Sequence, residues 1–270
     1  MNFVKAQIMG AKFVFIKVSE RAGMDEDFFY NWKNAKAAGL FRGGYHFLRW
    51  DISELTQARI FGDLLRDDPG ELPPICDFEA PPKDGKFPSN AMLSQFLEAV
   101  EAITGKKPMI YTSPGFWNSY GKNKTTGKFD AFWSNYPLWI AHYTTASAPI
   151  LPEPWKSANK PWLFWQHSNT GDGLKFGAES KSIDLNWFNG SQADLRSFMQ
   201  GHEAKIPEQQ NPQGSGSEGM SGNTPTGGGE GSTIEAPVGG ISNAYLQKEI
   251  DLVGSRVKAL ETFLGSYRLP

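Results

Sequence analysis

Two acidic residues stand two positions apart at the end of an apolar run, in the segment LPPICDFE at residues 72–79. Successive side chains of a β-strand point to opposite faces, so Asp77 and Glu79 would share one face of a strand. An acid in this position has a pKa that burial and a neighbouring carboxylate can raise. The pair is therefore a candidate for general acid catalysis. The alternative is that both residues simply begin the polar loop that follows the strand.

Composition narrows the class of protein. A chain of 270 residues with 39% hydrophobic and 13% aromatic residues can form one large α/β domain with an appendage, or two ordinary domains. The formal net charge of -2 provides no global field for nucleic acid or an anionic membrane, so neither partner is expected. No apolar stretch is long enough for a membrane span.

Cysteine and histidine usage argues against a disulfide framework and against a metal site. Cys76 is the single cysteine, and it lies within the apolar run, where we expect it to be buried. The four histidines are scattered without metal-ligand spacing, so no metal and no cofactor is expected. His46, His142 and His167 fall in strand-like runs and are interpreted as core histidines.

Strand-like and helix-like segments alternate around the acidic pair. Seven apolar or β-branched runs are predicted as strands, and they lie at residues 13–18, 43–48, 72–79, 108–112, 137–142, 162–167 and 183–188. Helices are predicted at residues 27–39, 53–66 and 89–104, the last with Ser89 as N-cap and Gly105 just past its end. This alternation favours parallel βαβ units that curl into a barrel of the α/β class.

In such barrels the chemistry gathers where the strands end, at their carboxyl edge. Several polar and aromatic residues lie at or near predicted strand ends: Glu20, Tyr45, Asp77, Glu79, Tyr111, Trp139, His142, Gln166 and Asp184. We therefore expect these residues to come together at one edge of the sheet.

The composition changes after about residue 204. Of the 34 residues from 207 to 240, 21 are Gly, Pro, Ser or Thr, which predicts a flexible linker over residues 205–240 between a domain at 1–204 and a final segment at 241–270. The final segment has apolar residues in heptad spacing: Leu246, Ile250, Val253, Val257, Leu260, Leu264 and Tyr267. The spacing predicts an amphipathic helix, which through residues 246–267 either self-associates as a coiled coil or docks on the domain at 1–204 or on a partner protein.

Seven motifs in one order resemble the family 25 glycoside hydrolases, the Chalaropsis-type lysozymes, over about 190 residues. They are FVFIKVSE (13–20), AAGLFRGGYHFLR (37–49), LPPICDFE (72–79), KPMIYTSPGFW (107–117), YPLWIAHY (136–143), WLFWQHS (162–168) and IDLNWFNG (183–190). The resemblance implies a modified (β/α) TIM-like barrel. It also implies cleavage of the β-1,4 bond between N-acetylmuramic acid and N-acetylglucosamine in peptidoglycan.

The resemblance assigns roles to four acids. Glu79 becomes the general acid that protonates the glycosidic oxygen. Asp77 becomes its partner, which either stabilises the cationic transition state or orients the substrate's N-acetyl group as an internal nucleophile. Asp184 and Glu20 match acidic positions that line the same cleft. Spacing leaves open whether the reaction retains or inverts the anomeric configuration.

Five further residues are expected to bind substrate. Tyr45 is expected to hydrogen-bond the reacting sugar or a carboxylate, with a half-buried core tyrosine as the alternative. Trp139 and Tyr143 are expected to stack on sugar rings, although Trp139 is also a candidate core residue. Tyr111 and Gln166 complete this set at neighbouring strand ends.

One feature departs from the resemblance. Family members usually begin with a strand of the type G-I-D-V-S, whose Asp lines the cleft, and this sequence contains no such segment before FVFIKV. We therefore expect an N-terminally incomplete barrel that lacks one strand and one cleft acid. Such a domain would be less stable, or it would recruit another segment to the gap.

Two functions follow from these residues. The first is a bacteriolytic muramidase that acts on glycan strands of the bacterial cell wall, with a phage endolysin as one candidate. No signal peptide is recognised at the start, which suits phage-type release or a truncated start. The second is a peptidoglycan-binding or structural protein on a degenerate lysozyme scaffold, and a glycosidase for another N-acetylated polysaccharide such as chitin is a more remote reading.

Overall fold

A curled eight-stranded sheet with helices packed against it forms the fold. The computed structural model describes residues 1–83 and 87–201. The predicted linker at 205–240 and the heptad segment at 246–267 lie outside these residues. The strand order is β2-β1-β3-β4-β5-β6-β7-β8. The strands are β1 Phe13–Glu20, β2 Gly23–Met24, β3 Phe41–Phe47, β4 Ile75–Asp77, β5 Met109–Thr112, β6 Leu138–Ala141, β7 Phe164–Asp172 and β8 Ser182–Phe188.

Six of these strands form the parallel part of the sheet. β1, β3, β4, β5, β6 and β7 pair side by side in parallel, as the alternation of strands and helices predicted. The helices are α1 Phe3–Ile8, α2 Phe28–Ala37, α3 Glu54–Leu65, α4 Asn90–Thr104, α5 Pro114–Tyr120 and α6 Gln192–Met199, with a 3-10 helix at Ala131–Asn135.

The caps of α4 lie where the sequence predicted them. The Ser89 side chain accepts a hydrogen bond from the backbone N–H of Met92, which satisfies one free donor of the first turn. Gly105 follows the helix with a φ of +67°, a left-handed conformation that glycine adopts without steric cost. Ser53 stands at the N-cap position of α3, but its side chain makes no capping hydrogen bond.

The predicted parallel pairing does not extend to the two edges of the sheet. β8 runs antiparallel to β7, and the two-residue β2 runs antiparallel to the end of β1. Only nine residues, 173–181, separate β7 from β8. A parallel connection needs a crossover of a dozen or more residues, so this loop length permits a hairpin and little else.

The predicted strand at residues 72–79 is also shorter than expected. β4 covers only Ile75–Asp77, and Glu79 lies two residues beyond its end. The backbone N–H of Phe78 still bonds to the carbonyl of Tyr111, so the chain continues along β5 at this point. Asp77 is therefore the last residue of β4, and Glu79 lies just past it at the same edge of the sheet, outside the regular strand.

Two layers of apolar side chains cover the two faces of the sheet. Between the sheet and the helices lies a core that includes Cys76, which is fully buried as expected. The inner face carries a smaller aromatic cluster, in which Phe13 and Phe15 both contact Phe164 edge to face. Large aromatic rings supply much of the buried apolar surface that holds such a layer together.

A buried cation anchors the start of β3. Arg42 is 1% exposed, and its side chain donates two hydrogen bonds to Asp68, both at 2.8 Å, and two to Glu71 at 2.8 and 3.1 Å. Its guanidinium also lies 4.6 Å from the ring centroid of Trp32. The Arg42 charge lowers the pKa of Asp68 to about 2. These contacts satisfy a charge that would otherwise be costly to bury.

The two ends of the sheet do not meet within the described residues. β1 pairs with β3 along its length, but on its other side it pairs with β2 only at Ser19 and Glu20. β8 pairs with β7 alone. The sheet is therefore a half-barrel with a gap between β1 and β8. Backbone groups of β1 from Phe13 to Lys17 face this gap.

Candidate active site

A single row of residues crosses the carboxyl edge of the sheet. Pairing across neighbouring strands places Glu20 opposite Phe47, Phe47 opposite Asp77, Asp77 opposite Tyr111, and Tyr111 opposite Trp139. Parallel strands bring their carboxyl ends to the same edge, which is where the sequence placed the chemistry.

A cavity of about 910 Å³ opens at this edge and extends into the gap between β1 and β8. Seven of the nine predicted site residues line it: Tyr45, Asp77, Glu79, Tyr111, Trp139, Gln166 and Asp184. Glu20 and Tyr143 are not among the residues that line it.

Asp77 is the most deeply buried acid of the cavity. It is 6% exposed, and its Oδ1 has no hydrogen-bond partner among the described residues. Burial, together with the neighbouring charge of Glu79, raises the pKa of Asp77 well above its usual range. A carboxyl group in these surroundings keeps its proton at a higher pH than an exposed aspartate does.

Glu79 is partly exposed to the cavity. Burial raises the pKa of Glu79, the hydroxyl of Tyr111 opposes this effect, and the charge of Asp184 reinforces it. Asp184 reaches the cavity from the antiparallel strand β8, and partial burial of its carboxyl group raises its own pKa. Three carboxyl groups with raised pKa values thus face one space, which is an arrangement suited to proton transfer.

Two tyrosines hold the amide of Gln166 from the same side. The hydroxyl of Tyr111 donates a hydrogen bond to Oε1 of Gln166 at 2.9 Å, and that of Tyr143 donates to the same oxygen at 2.7 Å. Gln166 is buried, whereas Tyr143 is 52% exposed. Tyr143 therefore offers a ring face beside the cavity, and Gln166 is fixed in orientation by its two phenol partners.

Tyr45 lies among the acids. Burial raises the pKa of Tyr45, and the charges of Asp77, Asp25, Asp184 and Glu79 add to the effect. The phenol therefore stays protonated and remains a hydrogen-bond donor toward a carboxylate or a sugar oxygen.

Trp139 does not provide the stacking surface that the sequence suggested. It is 5% exposed, with Phe15 and Tyr111 at ring-centroid distances of 4.0 and 4.3 Å. Its indole N–H donates to Oδ1 of Asn186 at 2.9 Å. The ring is covered by its neighbours, so Trp139 supports the floor of the cavity instead of stacking on a sugar.

Comparison with known proteins places this geometry in a family. The family model described as Glycosyl hydrolases family 25 matches residues 1–174. The chain belongs to glycosyl hydrolase family 25. A crystal structure of the bacterial lysozyme from Streptomyces coelicolor aligns with a TM-score of 0.60 and 30% identity, and the match covers 74% of this chain and 92% of that one. The modified barrel that the resemblance implied is thereby confirmed.

Relatives in sequence agree with this assignment. Lysozyme M1 of Streptomyces globisporus is 33% identical over 207 residues, which cover 72% of this chain and 66% of that protein. A protein of Escherichia coli O157:H7, "Uncharacterized protein YegX", is 32% identical over 193 residues, or 70% of this chain. The match covers 64% of the Escherichia coli protein, so this family 25 chain spans less than two thirds of that relative.

Glu20 of this family 25 domain differs from the other acids because two cations neutralise it. Lys17 donates to its Oε2 at 2.6 Å, and Nε of Arg49 donates to its Oε1 at 2.7 Å. These hydrogen bonds outweigh the effect of burial and lower the pKa of Glu20. Glu20 is consequently ionised, and it does not have the protonation state of a general acid.

Sequence reasoning missed Lys17, Arg49 and Asn186. Lys17 and Arg49 act on Asp77 by lowering its pKa, and Asn186 bonds to Trp139 in the cavity floor. Asn186 could have been predicted from the sequence, because it lies two residues after Asp184 and therefore on the same face of the strand. Lys17 and Arg49 carried no such signal, since the two residues come together only through the pairing of β1 with β3.

The described part of this family 25 chain contains neither a cluster of metal-binding side chains nor a helix that could span a membrane. Among residues 1–83 and 87–201, no group of three or more His, Cys, Asp and Glu side chains is placed to hold a metal ion. No helix within the same residues has the length and apolar character of a membrane span.

Proposed function

We propose that this protein is a muramidase that hydrolyses the β-1,4 bond between N-acetylmuramic acid and N-acetylglucosamine in bacterial peptidoglycan. The observation that carries the proposal is the pair Asp77 and Glu79, which faces one cavity with both pKa values raised. Most glycoside hydrolases use two carboxyl groups whose different surroundings give them different catalytic roles. Membership of family 25 and the lysozyme relatives support the same conclusion.

In this proposal Glu79 is the general acid. Its carboxyl group donates a proton to the glycosidic oxygen as the bond from that oxygen to C1 breaks, and the leaving sugar departs as a neutral alcohol. The raised pKa of Glu79 keeps the proton available at higher pH than an exposed glutamate would. Glu79 is also partly exposed, so its proton has access to a bound glycan.

In this proposal Asp77 is the partner of the general acid and acts as a carboxylate. Burial and the charge of Glu79 raise the pKa of Asp77, whereas Lys17 and Arg49 oppose this effect and favour its ionised form. The carboxylate of Asp77 then either stabilises positive charge at C1 or orients the substrate's N-acetyl group for attack on C1. A water molecule adds to C1 to complete the hydrolysis, and the proton that it gives up restores the carboxyl group of Glu79.

The remaining residues bind and orient the glycan. Tyr45 donates a hydrogen bond near the acids, and Tyr143 offers its exposed ring to a sugar face. Gln166, with Oε1 occupied by two phenols, presents its amide N–H groups to a substrate acceptor. Glu20 is a fixed negative charge within the cluster of Lys17 and Arg49.

A second function has one observation in its favour. The cavity extends beyond the acids into the gap between β1 and β8, where it is bordered by apolar residues such as Phe13 and Leu185. An open gap of this kind suits a scaffold that binds glycan strands without turnover.

Product analysis separates the two functions. Purified peptidoglycan is incubated with the protein, and the released fragments are reduced with borohydride and analysed by mass spectrometry. The muramidase proposal requires soluble fragments that end in reducing N-acetylmuramic acid. Fragments that end in reducing N-acetylglucosamine contradict it. Binding to peptidoglycan in a pull-down without any release supports the scaffold function instead.

A further inference from the structure

A bulge in β1 determines which way Glu20 points. Phe13, Phe15 and Lys17 alternate onto the inner face of the sheet, and strict alternation would place Ser19 inside and Glu20 outside. The pairing of β1 with β3 shifts by one residue between Lys17 and Ser19. Ser19 consequently lies buried on the outer face, and Glu20 turns inward opposite Phe47. Bulges next to active sites commonly redirect a side chain in this way.

A buried hydrogen bond holds the bulge in place. The hydroxyl of Ser19 lies 2.8 Å from Nδ1 of His46, and both residues are 0% exposed. The His46 ring is packed between α3 and α4, where it stacks on Phe96 at a centroid distance of 5.1 Å. The Ser19 hydroxyl has no other partner among the described residues, so loss of His46 would leave it unsatisfied in the core.

Gln57 fixes the tautomer of His46. Nε2 of Gln57 donates to the backbone carbonyls of Arg49 at 2.8 Å and Ile52 at 3.1 Å, so the orientation of the amide is determined. Its Oε1 then accepts from the backbone N–H of Arg49 at 2.9 Å and from Nε2 of His46 at 3.0 Å. His46 therefore carries its proton on Nε2, and Nδ1 accepts from Ser19. Burial lowers the pKa of His46 to about 4, which keeps the ring neutral.

The side chain of Arg49 connects this hydrogen-bond network back to β1. Gln57 holds the backbone of Arg49 through both its N–H and its C=O, and the Arg49 guanidinium bonds back to Glu20. Glu20 follows Ser19 directly in the chain. The hydrogen bonds thus run from Ser19 through His46, Gln57 and Arg49 to Glu20, and they join β1, β3, α3 and the loop after β3.

We propose that Ser19, His46 and Gln57 are positioning residues, which hold the β1 bulge and the Arg49 backbone so that Glu20 and Arg49 project together beside Asp77. This inference rests on the proposed hydrolase function for its effect on turnover, but the geometry it describes exists without substrate. None of the three residues reaches the cavity, so each acts through Glu20 and Arg49.

A double-mutant cycle tests whether Ser19 acts through Glu20. Ser19→Ala, Glu20→Gln and the double variant are compared with wild type for hydrolysis of peptidoglycan, each at a temperature where it is fully folded. A misplaced charge at a catalytic centre costs about tenfold to a hundredfold in kcat/KM. We expect a loss of this size from Ser19→Ala in wild type and less than about a twofold further loss in the Glu20→Gln background.

Trp155→Phe is the matched control. It removes another buried hydrogen bond, from the Trp155 indole to the carbonyl of Tyr136, on the helix side of the sheet away from the acids. We expect it to lower the unfolding midpoint but to leave kcat/KM unchanged. Equal losses from Ser19→Ala in the presence and absence of Glu20 overturn the proposal, and so does a Ser19→Ala variant with wild-type kcat/KM.

A titration of Glu20 provides a readout that needs no turnover. The side-chain carboxyl carbon of Glu20 is followed by 13C NMR in the full chain from pH 2 to pH 7. In wild type the pairing with Lys17 and Arg49 keeps the pKa of Glu20 below its ordinary value of 4.5. We expect Ser19→Ala to move it upward toward that value and Trp155→Phe to leave it in place.

These experiments distinguish a failure of the proposed hydrolase function from a failure of the proposed positioning role. If wild type releases no fragments but the Glu20 titration shifts in Ser19→Ala, the proposed hydrolase function is wrong and the positioning role stands. If Glu20 titrates at the same pH in wild type and Ser19→Ala, the positioning role is wrong, whether or not the protein hydrolyses peptidoglycan.

Discussion

Tyr111 lies directly opposite Asp77 in the β4–β5 ladder, and its hydroxyl oxygen is 2.9 Å from Oε1 of Gln166 and close enough to Glu79 to lower the pKa of that carboxyl group. The Tyr111 side chain thus connects β4, which carries Asp77, with Gln166 on β7 at the other side of the cavity. The protonation states of the acids consequently depend on neighbours from several strands, which leads to predictions for pH and stability.

Activity is expected to persist above the ordinary pKa of glutamate. The general acid must be protonated, so kcat/KM falls as the pH rises through the raised pKa of Glu79. Asp184 contributes to that raised value, and Asp184→Asn should therefore move the alkaline limb of the pH profile to lower pH. Profiles of kcat/KM from pH 3 to pH 9 measure this shift. Asp67→Asn, an exposed acid outside the cavity, serves as control, and an unmoved limb in Asp184→Asn contradicts the prediction.

Asp77→Asn is expected to stabilise the protein while it lowers turnover. The pKa of Asp77 is raised in the fold, so its charge opposes folding at pH values above the unfolded value of about 3.8, and the effect vanishes below that value. Removal of the charge should add about 1–2 kcal/mol to the free energy of unfolding at pH 7 and little at pH 3. Turnover should fall about a hundredfold.

Urea unfolding at pH 7 and pH 3, combined with a peptidoglycan assay, checks both effects. A variant that is less stable than wild type at pH 7 would show that the Asp77 carboxylate stabilises the fold, in contradiction to the burial argument.

Arg42 is expected to stabilise the fold without a part in turnover. Arg42→Ala leaves Asp68 and Glu71 without their main partner and removes a contact with Trp32, which should cost about 1–3 kcal/mol because both carboxylates remain partly solvated. Lys36→Ala removes an exposed ion pair to the same Asp68 and should cost under about 1 kcal/mol. Urea unfolding at pH 7 distinguishes them, and equal losses contradict the assignment of the stabilisation to the buried cation.

The same cluster predicts part of the acid sensitivity. Because the pKa of Asp68 is lowered to about 2, its pairing stabilises the fold above the unfolded value of 3.8 and is lost as the pH falls toward 2. We therefore expect the stability difference between wild type and Arg42→Ala to shrink between pH 4 and pH 2. A difference that is constant over this interval would contradict the ion-pair explanation.

The gap beside β1 is expected to accept one additional strand. Among residues 1–83 and 87–201, the backbone of Phe13 to Lys17 has no strand partner on this side, and the family resemblance supplies the type of segment, G-I-D-V-S. A variant with this segment and a short linker joined before Met1 should unfold at a temperature several degrees higher. A matched extension with two prolines in place of Ile and Val cannot form the ladder and should give no increase. Equal midpoints for the two extensions contradict the prediction.

The sequence permitted prediction of features that depend on neighbouring residues. Ser89 and Gly105 bound α4 because caps act within one turn of the chain. Asp77, Glu79 and Tyr111 were placed at one edge because parallel strands end together. Features set by partners distant in sequence were missed. The β1 bulge places Ser19 against His46 on a neighbouring strand, and the Trp139 ring is covered by Phe15, so no local pattern could indicate either.

The central claim is that Glu79 protonates the leaving group, and leaving-group dependence tests it most directly. Wild type and Glu79→Gln are compared on glycan strands and on an aryl glycoside of the same sugars whose phenol leaves without protonation. A general acid contributes about a hundredfold to ten-thousandfold, so we expect a loss of that size on glycan strands and less than about tenfold on the aryl glycoside. Equal losses on both substrates would contradict the assignment of Glu79 as the general acid.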